Sequence, residues 1–111
     1  MKRKTGVYVM QVAAMLTGLH PQTLRKYERV GLVTPIRINT LRLYSDEDIA
    51  QCRLIRRLVD EMGLNLAGVE LALNLEQRLQ KLKKRIVEDE SANQKGNLAL
   101  IEEMLEILGE D

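Results

Sequence analysis

The chain has 111 residues, 45% of them hydrophobic but only 3% aromatic, which fits one small domain with an appended helix and argues against an all-β sandwich or barrel. Its single cysteine and single histidine exclude an internal disulfide and a Cys/His zinc site, and no apolar run is long enough to cross a membrane or to follow Met1-Lys2-Arg3-Lys4 as a signal peptide, so a soluble cytoplasmic protein is expected. The net charge of +1 conceals an asymmetry: residues 1–60 carry 11 Lys/Arg against 5 Asp/Glu, residues 61–111 carry 6 against 11, and a basic front half points to a polyanionic partner.

Residues 1–6 form a basic arm, and Val7-Tyr8-Val9 is a short extended lead-in. Met10 to Leu16 reads as a helix with Val12, Ala13 and Leu16 on one apolar face, ended by Thr17-Gly18. A second helix starts at Pro21, a residue suited to the first helical position, and ends at Gly31. Two short helices joined by a tight Gly-containing turn are the signature of a helix-turn-helix. Two strand-like pieces follow, Leu32 to Arg37 and Leu41 to Tyr44, with Ile38-Asn39-Thr40 turning between them. Alternation puts Leu41 and Leu43 against the helices and Arg42 and Tyr44 outward, which makes the hairpin a wing.

Ser45-Asp46-Glu47-Asp48 is a helix start, with Ser45 as N-cap and Asp48 in the capping-box position. The helix it opens carries an apolar stripe of Ile49, Cys52, Ile55, Leu58, Val59 and Met62 and stops at Gly63. Asn65 caps a further helix with Leu66, Val69, Ala72 and Leu73 inward. Leu75, Leu79, Leu82 and Ile86 then follow a 4-3-4 spacing, the seam of a coiled coil. The polar stretch Glu88 to Asn97 contains Gly96, which either breaks the helix or weakens it, and Leu98 to Leu108 is a last amphipathic piece. The expected organisation is an arm (1–6), a winged helix-turn-helix domain (7–74), and a dimerisation helix with a C-terminal amphipathic helix (75–111). A helical hairpin folded back on its own subunit is the alternative for the last segment.

Catalysis has little support. His20 directly precedes Pro21, where it caps or packs, and Cys52 lies on an apolar stripe, where it is a buried structural thiol. The glycines are scattered singly, so there is no phosphate loop. No cofactor or metal is expected. The second helix offers more. In a helix-turn-helix its early residues face base edges in the major groove. Gln22 suits an adenine edge, Arg25 suits guanine O6/N7, and Thr23 suits a phosphate or a thymine methyl. Lys26, Tyr27 and Arg29 suit phosphates, joined by Arg37, Arg42 and Tyr44 of the wing, while Leu24 must face the core.

The run from Val12-Ala13 through Gly18-Leu19-His20-Pro21-Gln22-Thr23-Leu24-Arg25-Lys26-Tyr27-Glu28-Arg29-Val30-Gly31-Leu32-Val33-Thr34-Pro35 resembles the N-terminal signature of the MerR family of transcription regulators. Arg42-Leu43-Tyr44-Ser45-Asp46-Glu47-Asp48-Ile49 extends the resemblance through wing and third helix, so it covers about residues 7–75. His20 to Arg25, Asn39-Thr40 and Gly63 to Val69 are most similar to the heat-shock repressor (HspR-type) branch.

The resemblance implies a mainly α fold, a winged helix-turn-helix followed by a long helix that pairs as an antiparallel coiled coil. It implies a homodimer on an inverted repeat of double-stranded DNA before chaperone genes, with a DnaK-type chaperone as co-repressor and no membrane partner. Lys26 stands where many members have a second aromatic. No cysteine follows Cys52, which disfavours metal sensing. Two other readings stay open: a protein-binding chaperone modulator with a MerR-like fold, and a promoter-remodelling activator.

Overall fold

A computed structural model describes residues 6–88 and 94–109. The expected basic arm, apart from Gly6, and residues 89–93 of the polar stretch lie outside the described residues. The order of elements is β1 (Tyr8–Val9), α1 (Met10–Thr17), α2 (Pro21–Arg29), β2 (Ile36–Ile38), β3 (Leu41–Tyr44), α3 (Asp46–Asp60), α4 (Leu66–Glu88) and α5 (Gln94–Ile107). The chain is mainly helical, and no helix of the described residues is long and apolar enough to cross a membrane. It divides into two compact units, Met1–Arg56 and Arg57–Asp111.

In the first unit the three strands form an antiparallel sheet in the order β1-β3-β2. Tyr8 pairs with Tyr44 and Val9 with Leu43, while Ile36, Arg37 and Ile38 pair with Leu43, Arg42 and Leu41. Asn39 turns the wing at φ 57°, a left-handed conformation that its short polar side chain tolerates. The expected strand from Leu32 is shorter than predicted. Leu32 and Val33 are buried core residues outside the sheet, and Pro35, which has no N–H for a ladder, precedes β2.

α1 buries Ala13 and Thr17, leaving Val12 and Leu16 partly exposed, so its inward face is rotated from the expected one. Gly18 ends it at φ 72°, its N–H donating to the Ala14 carbonyl at 2.9 Å. The last carbonyls of α1 would otherwise lack partners. Arg53 of α3 donates Nε and Nη2 to the Leu16 carbonyl at 3.0 and 2.8 Å, and Arg56 donates Nη1 to that of Thr17 at 3.1 Å. The positive φ at Gly18 is what disfavours a side chain there; a Cβ would also meet the end of the Arg56 side chain, which would have to shift from the Thr17 carbonyl.

α2 starts as expected. His20 Nδ1 accepts from the Gln22 N–H at 3.1 Å, and Pro21 occupies the first turn. α3 opens with a closed capping box: the Ser45 N–H donates to Asp48 Oδ2, and the Asp48 N–H to Ser45 Oγ, each at 3.0 Å. Both residues are buried. The shorter Asp therefore completes the box. Gln51 also donates its side-chain amide to the Leu32 carbonyl, tying the segment before the wing to α3.

In the second unit Asn65 Oδ1 accepts from the Gly68 N–H at 2.9 Å, the predicted cap of α4. Met62, placed on the apolar stripe by periodicity, is exposed instead, because it lies beyond the end of α3. α4 has 23 residues, about 34 Å at 1.5 Å per residue. It runs unbroken through residue 75, the expected start of a separate segment, since no Gly or Pro interrupts it there. α5 folds back on it. Leu79, Ile101 and Leu105 are buried together, with Ile86 and Leu108 packed on them, and Lys83 lies 3.6 Å from Glu102. Gly96 lies inside α5 and does not break it. Two of the four seam residues, Leu79 and Ile86, thus pack within the subunit, whereas Leu75 and Leu82 remain exposed.

The capping box can be tested by stability. Ser45→Ala leaves the buried Asp48 N–H without its acceptor and should cost about 1–2 kcal/mol in urea denaturation. An unchanged midpoint would contradict the role assigned to Ser45.

Candidate nucleic-acid interface

The orientation of α2 is set by two buried side chains one turn apart, Leu24 and Tyr27. The opposite face therefore carries Gln22, Arg25, Lys26 and Arg29, all exposed, with Thr23 at their edge half-buried. These five line one shallow hollow of about 450 Å³. Three cations and two neutral hydrogen-bonding groups in one hollow suit an anionic partner with polar edges.

Tyr27 departs from the expectation. Expected among the phosphate contacts, it is buried instead, because the i, i+3 spacing from Leu24 turns it into the core. Tyr44 departs further, with no exposed surface at all. Burial along β3 instead rises from Leu41, exposed at the wing tip, through half-buried Arg42 and Leu43 to buried Tyr44, so Arg42 and Tyr44 do not form an outward face. The Tyr44 hydroxyl has no hydrogen-bond partner among the described residues. Burial, and then the nearby charge of Glu28, push its pKa up to about 12.

Glu28 is the residue that sequence reasoning missed. Its carboxylate accepts from Arg37 Nε at 3.1 Å and Nη2 at 3.3 Å, and from Arg42 Nε at 2.6 Å. Desolvation pushes the Glu28 carboxyl up, but the hydrogen bonds and charges of the two arginines outweigh it and hold it below the ordinary carboxylate value. The signal was present in the register. A turn at Asn39-Thr40 sets Arg37 directly opposite Arg42, and like charges facing each other across strands need an anion. Arg42, expected to face outward, is thereby held against α2, its side chain 23% exposed, whereas Arg37 is 50% exposed. A second ordering contact lies at the start of α3, where the Tyr8 hydroxyl donates to Asp46 Oδ1 at 2.8 Å; that bond and the Asp46 charge raise the phenol's pKa.

Residues 8–76 match the profile of the MerR helix-turn-helix family of regulatory proteins. The chain belongs to the MerR family. Over 85 residues it is 47% identical to a Streptomyces coelicolor protein named as heat shock protein HspR, an alignment covering 76% of this chain and 56% of that one. Over 73 residues it is 33% identical to the transcriptional regulator GlnR of Bacillus anthracis and of Bacillus cereus, covering 65% of this chain and 56% of theirs. The chain thus spans just over half the length of these relatives. The family is one of regulators, not enzymes. Among the described residues no cluster of His, Cys, Asp and Glu could hold a metal ion, and Cys52 is buried.

The placement of Tyr44 in this MerR-family domain has a measurable consequence. Tyr44→Phe removes a buried hydroxyl that lacks a partner, so stability should hold or rise by about 1 kcal/mol. Thermal denaturation checks this, and a clear loss of stability would show that the hydroxyl is bonded.

Proposed function

We propose that the chain is a sequence-specific DNA-binding transcription regulator, a cytoplasmic homodimer that represses heat-shock or chaperone genes from an inverted-repeat operator. The observation that carries this reading is the single hollow on α2 formed by Gln22, Thr23, Arg25, Lys26 and Arg29. Gln22 and Arg25 lie in the early turns of the helix, the part that meets base edges when such a helix enters the major groove. Arg25 offers two parallel donors to guanine O6/N7, and the Gln22 amide pairs with adenine N6/N7. Lys26 and Arg29 take phosphates and fix register, with Arg37 adding a contact from the wing. Tyr27, Arg42 and Tyr44 act from behind, as packing and struts.

The stress-gene assignment rests on the likeness to the Streptomyces protein named as heat shock protein HspR. A DnaK-type chaperone as co-repressor belongs to the same reading. Dimerisation is assigned to the outward face of α4, where Leu75 and Leu82 are exposed in line with Leu71. Large apolar side chains repeated along one exposed helix face favour a second copy of that face.

Binding should be tested on duplexes from upstream of chaperone genes, with random DNA as competitor, at several salt concentrations and with and without a DnaK-type chaperone. The affinity should fall steeply with salt, because each neutralised phosphate releases counterions. Arg25→Ala should cost about 1–3 kcal/mol on the specific duplex and relax specificity at one position. Equal losses on specific and random DNA would make Arg25 a phosphate contact. No preference for any duplex, with chaperone capture intact, would favour the protein-binding modulator. Replacing Leu75 and Leu82 together by Glu should convert the dimer to monomers in sedimentation. A double variant that sediments as wild type would remove this face from the interface.

A further inference from the structure

We propose that Glu28 is a positioning residue for the wing: it grips Arg37 by one edge of the guanidinium and presents the other edge to a DNA phosphate. The proposal rests on the DNA-binding reading above and adds to it a residue that does not itself touch DNA. Three observations carry it. First, the register sets Arg37 and Arg42 opposite each other, so the wing holds two like charges face to face. One carboxylate serves both, which leaves the cluster with one surplus positive charge.

Second, the two arginines are held differently. Arg42 is largely covered and donates Nε at 2.6 Å. Arg37 donates Nε and Nη2, the side edge of its planar fork, and half of its side chain stays exposed. A guanidinium is rigid and carries five N–H donors. Holding one edge therefore fixes where the remaining donors point, and the surplus charge leaves the cluster through Arg37.

Third, Glu28 stands on α2, the helix that carries Gln22, Arg25, Lys26 and Arg29. The same carboxylate that orients Arg37 thus ties the wing to the base-reading face, so that a phosphate contact from the wing is fixed in register with contacts from the helix. Arg37 is half-exposed, so its half of the ion pair adds little to stability and its effect lies in orientation.

The test uses the full chain and two duplexes, one selected by the wild-type protein from a random-sequence pool and one random. Fluorescence anisotropy gives Kd over a salt series for wild type, Arg37→Ala, Glu28→Gln and the double variant. Arg37→Ala should lower the slope of log K against log salt by about 0.9, one phosphate, on both duplexes. Glu28→Gln should weaken binding about two- to tenfold, the cost of ordering one long side chain on binding instead of beforehand. In the Arg37→Ala background, Glu28→Gln should have no further effect.

Unchanged binding by Glu28→Gln would overturn the proposal. So would tighter binding with a steeper slope, which would mean that the carboxylate withholds arginine from DNA. Additive losses in the double variant would overturn it too, because Glu28 would then act through the fold. If Glu28→Gln does not fold, an unchanged slope in Arg37→Ala alone is decisive against it. Failure of the wild type to select any duplex would instead remove the DNA-binding reading, and this proposal with it.

Discussion

The burial of Leu24 and Tyr27 fixes the rotation of α2, and the rest of the candidate interface depends on it. A helix of nine residues presents few side chains, and each turn about its axis by one residue replaces them. With these two inward, the outward set is Gln22, Arg25, Lys26 and Arg29, and Glu28 is left at the side where the wing arrives. A polar residue at position 24 would cost the burial of a large side chain, about 2–5 kcal/mol for a core Leu truncated to Ala, and would also free the helix to turn.

The surroundings of α2 are held by short polar contacts at element ends. Arg53 and Arg56 occupy the carbonyls that end α1, so α3 closes the turn before α2. His20 occupies an N–H that α2 would otherwise leave open, and the Ser45–Asp48 box begins α3 directly after the wing. The Ser45–Asp48 box is buried, and its groups would be costly to leave unpaired there. Together these contacts explain how a chain with three tyrosines and no larger aromatic can hold two short helices and a three-stranded sheet in register.

What was legible in the sequence was local. Gly18, His20-Pro21, Asn39, Ser45 with Asp48, and Asn65 each act within a few residues, and all mark the element ends they were expected to mark. The sense of the wing was not local. Period two says that Arg42 and Tyr44 share a face, but only packing against the helices decides which face is covered. Glu28 was readable in principle, through the cross-strand pairing that the Asn39-Thr40 turn imposes. The apolar spacing of α4 was ambiguous for another reason. Leu79 and Ile86 satisfy the same periodicity whether the covering helix comes from the same chain or from a second copy, and α5 of the same chain covers them.

The outward face of α2, with Arg37 of the wing, is proposed to meet DNA. Backbone and side-chain NMR shifts, followed while a duplex selected from a random-sequence pool is titrated in, test it most directly. The largest changes are expected at Gln22, Thr23, Arg25, Lys26 and Arg29 and at the Arg37 guanidinium, with Tyr44 little affected. Saturable binding that leaves those residues unmoved and shifts residues of α4 and α5 instead would contradict it.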